Sequence, residues 1–284
     1  MGNQKKKDSI EALSTALDKG INFFDTADIY GKGKSEKILG EICKGKNDII
    51  LCTKFGNRIK NNKIIFDSSV KYLEFSLNGS LKRLNRDYID ILLLHSPPKN
   101  IKLNKQFIKK IINLKAEGKI TYFGISFSTV TDAINYIKFD NNNLDFIEII
   151  YNIVDRRAES YLFLLCKKNN IKIIARMPFA SGFLSKVNIN KKYKKNDFRK
   201  YYNRHFIDWI KIIHKDSKKL FTKNINLAEL SLKYILSKKE IFVVIPGMRT
   251  KKQVLDNYKY FSNSKLTRST LDKVDKLPLF YKDW

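Results

Sequence analysis

Seven short apolar runs punctuate the chain: Ile21–Asp25, Ile49–Lys54, Ile89–His95, Ile120–Ser126, Phe146–Ile150, Ile171–Arg176 and Ile241–Pro246. They are rich in Ile, Val and Phe and lack in/out alternation, the pattern of strands covered on both faces. Between them, apolar residues recur at helical spacing over Lys7–Lys19, Ser35–Lys44, Ser68–Leu84, Leu103–Glu117, Thr131–Lys138 and Ala158–Lys168. Gly20 and Gly118 fall just past helix ends, where a left-handed residue is needed. Asp67-Ser68-Ser69 reads as an N-cap. Such alternation predicts an α/β fold with a parallel sheet and right-handed crossovers. The stretch Lys186–Arg204, KVNINKKYKKNDFRKYYNR, breaks the rhythm. It reads as a surface loop or as a lid over one rim. Residues 264–284 read as a C-terminal helix and tail.

The 284 residues come close to the roughly 250 of a single (β/α)8 barrel. No Pro/Gly/Ser-rich linker divides them, so one domain over residues 1–284 is expected. The net charge of +28 could attract nucleic acid, anionic lipid or a phosphorylated ligand. The lysines are spread along the chain rather than gathered in a tail, and Asn and Ile are abundant beside them. Codon composition explains that spread, so no nucleic-acid partner is expected. Cys43, Cys52 and Cys166 are odd in number and widely spaced. Reduced thiols in a cytoplasmic protein are the simplest account, with Cys52 packed inside its strand. No apolar run approaches a membrane span, and the N-terminus lacks the apolar core of a signal peptide. No His/Cys/Asp spacing suggests a metal site.

Chemistry concentrates at strand ends. Asp25 closes the first run, Lys54 the second and His95 the third, while Tyr30 follows Asp25 in a loop. The C-terminal ends of parallel strands converge on one rim, where enzymes of this architecture keep their active sites. An ammonium near a phenol stabilises phenolate, and a buried carboxylate would hold that ammonium. Each residue also has a plainer reading: a turn cap for Asp25, loop packing for Tyr30, a solvated end for Lys54, a satisfied loop histidine for His95.

The motifs FDTADIYG, GKSEKILGE, TKFG, SLKRLNRDYIDILLLHSPP, GKITYFGIS, YNIVDRR and IPGMRTKKQVLDN follow one another over nearly the whole chain. In that order they resemble the aldo-keto reductase family. The resemblance implies a (β/α)8 TIM barrel that binds NADP(H) without a Rossmann fold and reduces an aldehyde, ketone or sugar carbonyl. It places a catalytic tetrad on Asp25, Tyr30, Lys54 and His95, with Tyr30 as general acid. It places Ser126, Glu148 and Arg176 around the nicotinamide, where relatives usually carry Ser-Asn, Gln and an aromatic. Phe127 stands at that Asn position. Pro178, Ser181, Gly182 and Leu184 fall in a loop that relatives wrap over the pyrophosphate. Gly247, Arg249, Gln253 and Asn257 fall at pyrophosphate, 2′-phosphate and adenine positions, with Arg249 favouring NADP(H) over NAD(H).

Relatives begin with a strand before the first helix, and none precedes it here. Losing one strand would leave two sheet edges and some interior apolar surface uncovered. A start upstream of Met1 is the preferred expectation, beside an open barrel or a partner over the gap. The altered nicotinamide positions and the absent strand motivate an alternative function. That alternative is a nucleotide-sensing or regulatory barrel, or an inactive paralogue, that binds NADPH without efficient turnover.

Overall fold

The apolar runs pair side by side. In chain order the elements are α1 (Lys6–Asp18), β1 (Phe23–Asp25), α2 (Lys34–Ile42), β2 (Ile50–Phe55), β3 (Asn57–Lys60), β4 (Lys63–Phe66) and α3 (Val70–Leu84). Next come β5 (Ile89–His95), α4 (Lys105–Ala116), β6 (Ile120–Ser126), α5 (Val130–Asp140), β7 (Phe146–Ile150), α6 (Leu162–Lys168) and β8 (Lys172–Arg176). The chain closes with α7 (Arg204–Leu220), α8 (Leu227–Leu236), β9 (Ile241–Ile245), α9 (Lys251–Ser262) and α10 (Arg268–Asp275). This computed structural model describes residues 6–61, 63–140, 144–185, 198–202, 204–221, 226–262 and 265–279.

Seven parallel strands run in the order β1-β2-β5-β6-β7-β8-β9, a nearly closed barrel. They are the seven apolar runs. Their lack of alternation has a concrete cause, because both strand faces meet apolar neighbours. Leu92 and Leu94 of β5 belong to the core between sheet and helices. Ile91 and Leu93 turn into the barrel, where they pack with Cys52, Phe146 and Ile174. Cys52 is thus an interior packing group, and all three cysteines are free and buried.

The capping signals hold. Gly20 and Gly118 have φ of 74° and 67°. Ser69 caps α3 by accepting from Tyr72 N at 3.2 Å, and Asp67 Oδ1 accepts from Ser69 N. Three features depart from the pattern. An antiparallel hairpin, β3–β4, extends from the end of β2. The helix expected over Ala158–Lys168 divides into a single 3-10 turn at Arg157–Glu159 and α6 from Leu162. Helices α7 and α8 stand where no element was expected, and α7 takes over at Arg204 the end of the presumed loop. Residues 186–197 and 203 of that loop, and 280–284 of the tail, lie outside the described residues.

Among the described residues no ladder joins β1 to β9. The helical layer is continuous there, because α1 packs against α9 on one side and α2 on the other. A cavity of about 530 Å³ lies between the two free edges. Phe24 and Ile21 line it from one side, Val243 and Ile245 from the other, Ala16 and Val254 from the helices. Apolar residues of both sheet edges and of two helices thus face one cavity. Among the described residues no helix is long and apolar enough to cross a membrane.

Candidate active site

Backbone bonds build the rim before any side chain acts. After Asp25 the chain is tied to β2 by Thr26 N to Cys52 O at 2.8 Å and Asp28 N to Lys54 O at 3.1 Å. Overlapping turns follow, with Tyr30 N bonding Ala27 O and Lys32 N bonding Ile29 O, so Tyr30 is held by local geometry. Sheet register aligns the rest. His95 pairs with Ser126, Ser126 with Glu148, and Ile150 with Arg176. Gly56, two residues beyond Lys54, has φ of 110° and lets the chain turn into β3 against Leu94.

Lys54 is 1% exposed and sits among three oxygens. It donates to Asp25 Oδ1 and, at 3.1 Å, to the carbonyl of Thr26. Glu148 Oε2 stands 3.1 Å from the same Nζ as an ion pair. Glu148 Oε1 accepts from Ser126 Oγ at 2.9 Å and has Arg176 Nε at 3.7 Å. Two cations and two carboxylates therefore alternate across the rim. The Lys54 ammonium approaches the Tyr30 ring centroid to 5.7 Å, and His95 meets that ring edge-on at 5.7 Å.

These charges tune one another. Burial opposes the charge on Lys54, but Asp25 and Glu148 outweigh it and hold its pKa well above normal. The two carboxylates part ways. Burial works against both, yet Glu148 has Lys54, Arg176 and the Ser126 hydroxyl in support, and its pKa is lowered. Asp25 has Lys54 as its charged support and Glu148 as a like charge nearby. Burial, the largest cause, raises it to about 7. Tyr30 rises to about 12, chiefly through burial, with Lys54 pulling down and Asp25 and Glu148 pushing up. His95 falls to about 4 because it is buried, with Lys54 and Arg176 adding to the shift. Its imidazole is neutral at pH 7, and among the described residues Nδ1 is buried without a hydrogen-bond partner.

The remaining predicted positions divide into three groups. Ser126, Glu148 and Arg176 join the tetrad at the rim. Arg176 also donates to Phe127 O at 3.2 Å. In the loop after β8, the Pro178 carbonyl accepts from Ser231 Oγ at 2.6 Å. Ser181, with φ of 58°, exchanges a 2.6 Å bond with the Tyr202 hydroxyl. Gly182 N bonds Phe179 O, and Leu184 is packed in the core. Beyond β9, Gln253 Oε1 accepts from Arg249 N at 2.7 Å, fastening the turn into α9. Gly247 and Asn257 line the cavity that also reaches Asp25 and Tyr30. Asn257 is buried and its Nδ2 has no hydrogen-bond partner among the described residues.

Sequence reasoning missed the Thr26 carbonyl, because a backbone acceptor leaves no trace in side-chain identity. It also missed what GKSEKILGE and SLKRLNRDYID do. Buried Glu36 accepts from Thr53 Oγ1 at 2.7 Å and from Arg83 Nε at 2.6 Å, locking α2 and α3 onto β2. In YNIVDRR, Asn152 Nδ2 bonds Met177 O, and Arg156 grips the carbonyls of Val274 and Leu277. Those motifs hold the fold that holds the rim.

Comparison with known proteins identifies the family. The model of the Aldo/keto reductase family matches residues 1–278. An uncharacterised oxidoreductase of Bacillus subtilis (strain 168) is 30% identical over 277 residues, 95% of this chain and 87% of that one. An NADP(+) aldo-keto reductase of Schizosaccharomyces pombe is 28% identical over 261 residues, 87% of this chain and 75% of that one. The holo form of an aldo-keto reductase from Bacillus halodurans superposes with a TM-score of 0.81 at 30% identity, over 97% of this chain and 89% of that one. Sequence and fold converge over nearly the whole length, and the chain belongs to the aldo/keto reductase family.

Proposed function

We propose that this chain reduces an aldehyde, ketone or sugar carbonyl with NADPH, with Tyr30 as the proton donor. The observation that carries the reading is the buried Lys54 ammonium beside the Tyr30 ring, with a neutral His95 against the same ring. A phenol with a pKa near 12 stays protonated at neutral pH, as a general acid must. Once it has given its proton to the carbonyl oxygen, the phenolate lies in the field of Lys54. A neutral imidazole has one N–H to offer the same oxygen, which orients the carbonyl.

The chain's residues suit a dinucleotide. The cavity links Asp25 and Tyr30 to Gly247 and to the orphaned amide of Asn257. Ser126, Glu148 and Arg176 would hold the nicotinamide end, and Ser181, Gly182 and Leu184 lie in the loop that would cover the phosphates. Arg249 at the start of α9 favours a 2′-phosphate and hence NADP(H). That preference fits the NADP(+) in the name of the Schizosaccharomyces pombe relative. When bound, NADPH supplies the hydride.

Tyr30→Phe should lower turnover by about 10²–10⁴-fold in NADPH oxidation assays over a carbonyl panel. NADPH binding, followed by fluorescence quenching, should persist. Full turnover in that variant would refute the reading. The regulatory alternative draws on Glu148 and Arg176, a charged pair where relatives carry an amide and an aromatic. NADPH quenching in the wild type with no oxidation across the panel would favour it.

A further inference from the structure

Glu148 is charged where the family resemblance implies a neutral amide, and its surroundings give that charge a role. It is 3% exposed, bonded through Oε1 to Ser126, and set through Oε2 against Lys54 at 3.1 Å. Lys54 already has Asp25 on its other side. The ammonium thus carries two carboxylates, and its positive field toward Tyr30 is reduced accordingly.

We propose that Glu148 is a second counterion of Lys54 and, through it, a positioning residue that sets the acidity of Tyr30. The idea rests on the reductase reading given above. The groups facing Lys54 and Tyr30 are Asp25 from β1, Cys52 near Lys54 on β2, His95 from β5, Glu148 from β7 and Arg176 from β8. Among them Asp25 and Glu148 are the anions. Replacing Glu148 by Gln keeps the shape and the Ser126 contact but removes one anion. Lys54 and Arg176 then act on the phenol with less compensation, phenolate is favoured, and the tyrosine becomes a stronger acid. In this chain burial, with Asp25 and Glu148 adding to it, holds the acid protonated into alkaline solution.

The test is the pH dependence of turnover in both directions for the wild type, Glu148→Gln and Glu148→Asp. The Tyr30 limb should move to lower pH by about one unit in Glu148→Gln. In Glu148→Asp, whose carboxylate is withdrawn by one methylene, it should move the same way by less. Alcohol oxidation near neutral pH should rise relative to carbonyl reduction, since oxidation needs the phenolate. Superimposable pH profiles, with a weaker NADPH Kd as the only change, would overturn the proposal and leave Glu148 a cofactor contact. A wild type without turnover would instead count against the reductase reading. The phenol can then be titrated directly, with fluorotyrosine incorporated and fluorine NMR following the resonance that Tyr30→Phe removes. The same ordered shift is expected there, and an unmoved midpoint in both Glu148 variants overturns the proposal.

Discussion

Thr53 and Lys54 are neighbours on β2 that face opposite sides of the sheet, and each touches a buried carboxylate. Outside the barrel, both oxygens of Glu36 are taken, one by the Thr53 hydroxyl and one by Arg83. At the rim, the arrangement stays open. Among the described residues His95 Nδ1 is buried without a hydrogen-bond partner, while Glu148 Oε2 and Arg176 Nε have ion-pair contacts only, at 3.1 Å to Lys54 and 3.7 Å to Glu148. An unpaired buried polar atom costs free energy, so His95 Nδ1 is a cost that the Glu36 cluster avoids. The closed cluster holds helices to a strand. The open one leaves a neutral imidazole nitrogen without a partner beside an ion-pair chain.

The comparison can be broken most sharply at Lys54. Lys54→Met should reduce turnover by about 10³-fold, measured as NADPH oxidation with circular dichroism as a check on folding. It leaves Asp25 and Glu148 side by side, and one of them should take up a proton. A Lys54→Met enzyme retaining half its turnover would erase the distinction between the clusters.

His95 tests what openness does to stability. Its pKa is about 4 in the folded chain against 6.5 for a free imidazole. As pH falls below 6.5, the unfolded chain binds a proton that the folded chain refuses. Stability is therefore full above that pH and falls as pH drops toward 4, by up to about 3 kcal/mol. Asp25 opposes this. Its raised pKa means the folded chain takes up its proton first, so stability gains as pH falls through 7. The difference between wild type and His95→Asn in urea unfolding isolates the histidine. A variant whose stability follows the wild-type curve from pH 7 to pH 4 would contradict it.

Glu36→Ala should cost about 2 kcal/mol in the same unfolding experiment, from two lost hydrogen bonds to a carboxylate and a partly exposed Arg83 that regains water. Turnover of the folded fraction should stay within a few-fold of wild type. A collapse of kcat at unchanged stability would make the outer cluster part of the chemistry.

Much of this was legible in the chain. Strands covered on both faces must be apolar throughout, so the seven runs, and Asp25, Lys54 and His95 at their ends, could be read directly. Tyr30 could be singled out only with its motif, because a loop tyrosine has no periodicity to mark it. The β3–β4 hairpin escaped because it lies outside the parallel sheet. Helix α7 was masked by a basic, aromatic composition, although Phe206, Ile210 and Ile213 bury one face at helical spacing. Glu36 and Arg83 are 47 residues apart, and nothing local pairs them.

The sequence by itself determined the alternation of strands and helices, the polar residues at the strand ends and the charge at position 148. Solvent exclusion acts residue by residue, and strand-end polarity is a local property. Only the tertiary structure decided that Glu148 meets Lys54 rather than Arg176 alone, that the Thr26 carbonyl completes the ammonium's shell, and that among the described residues β1 and β9 do not pair with each other across the cavity. Those depend on how seven strands twist toward one another. Coulomb energies between buried groups change steeply over the few ångströms that this twist sets.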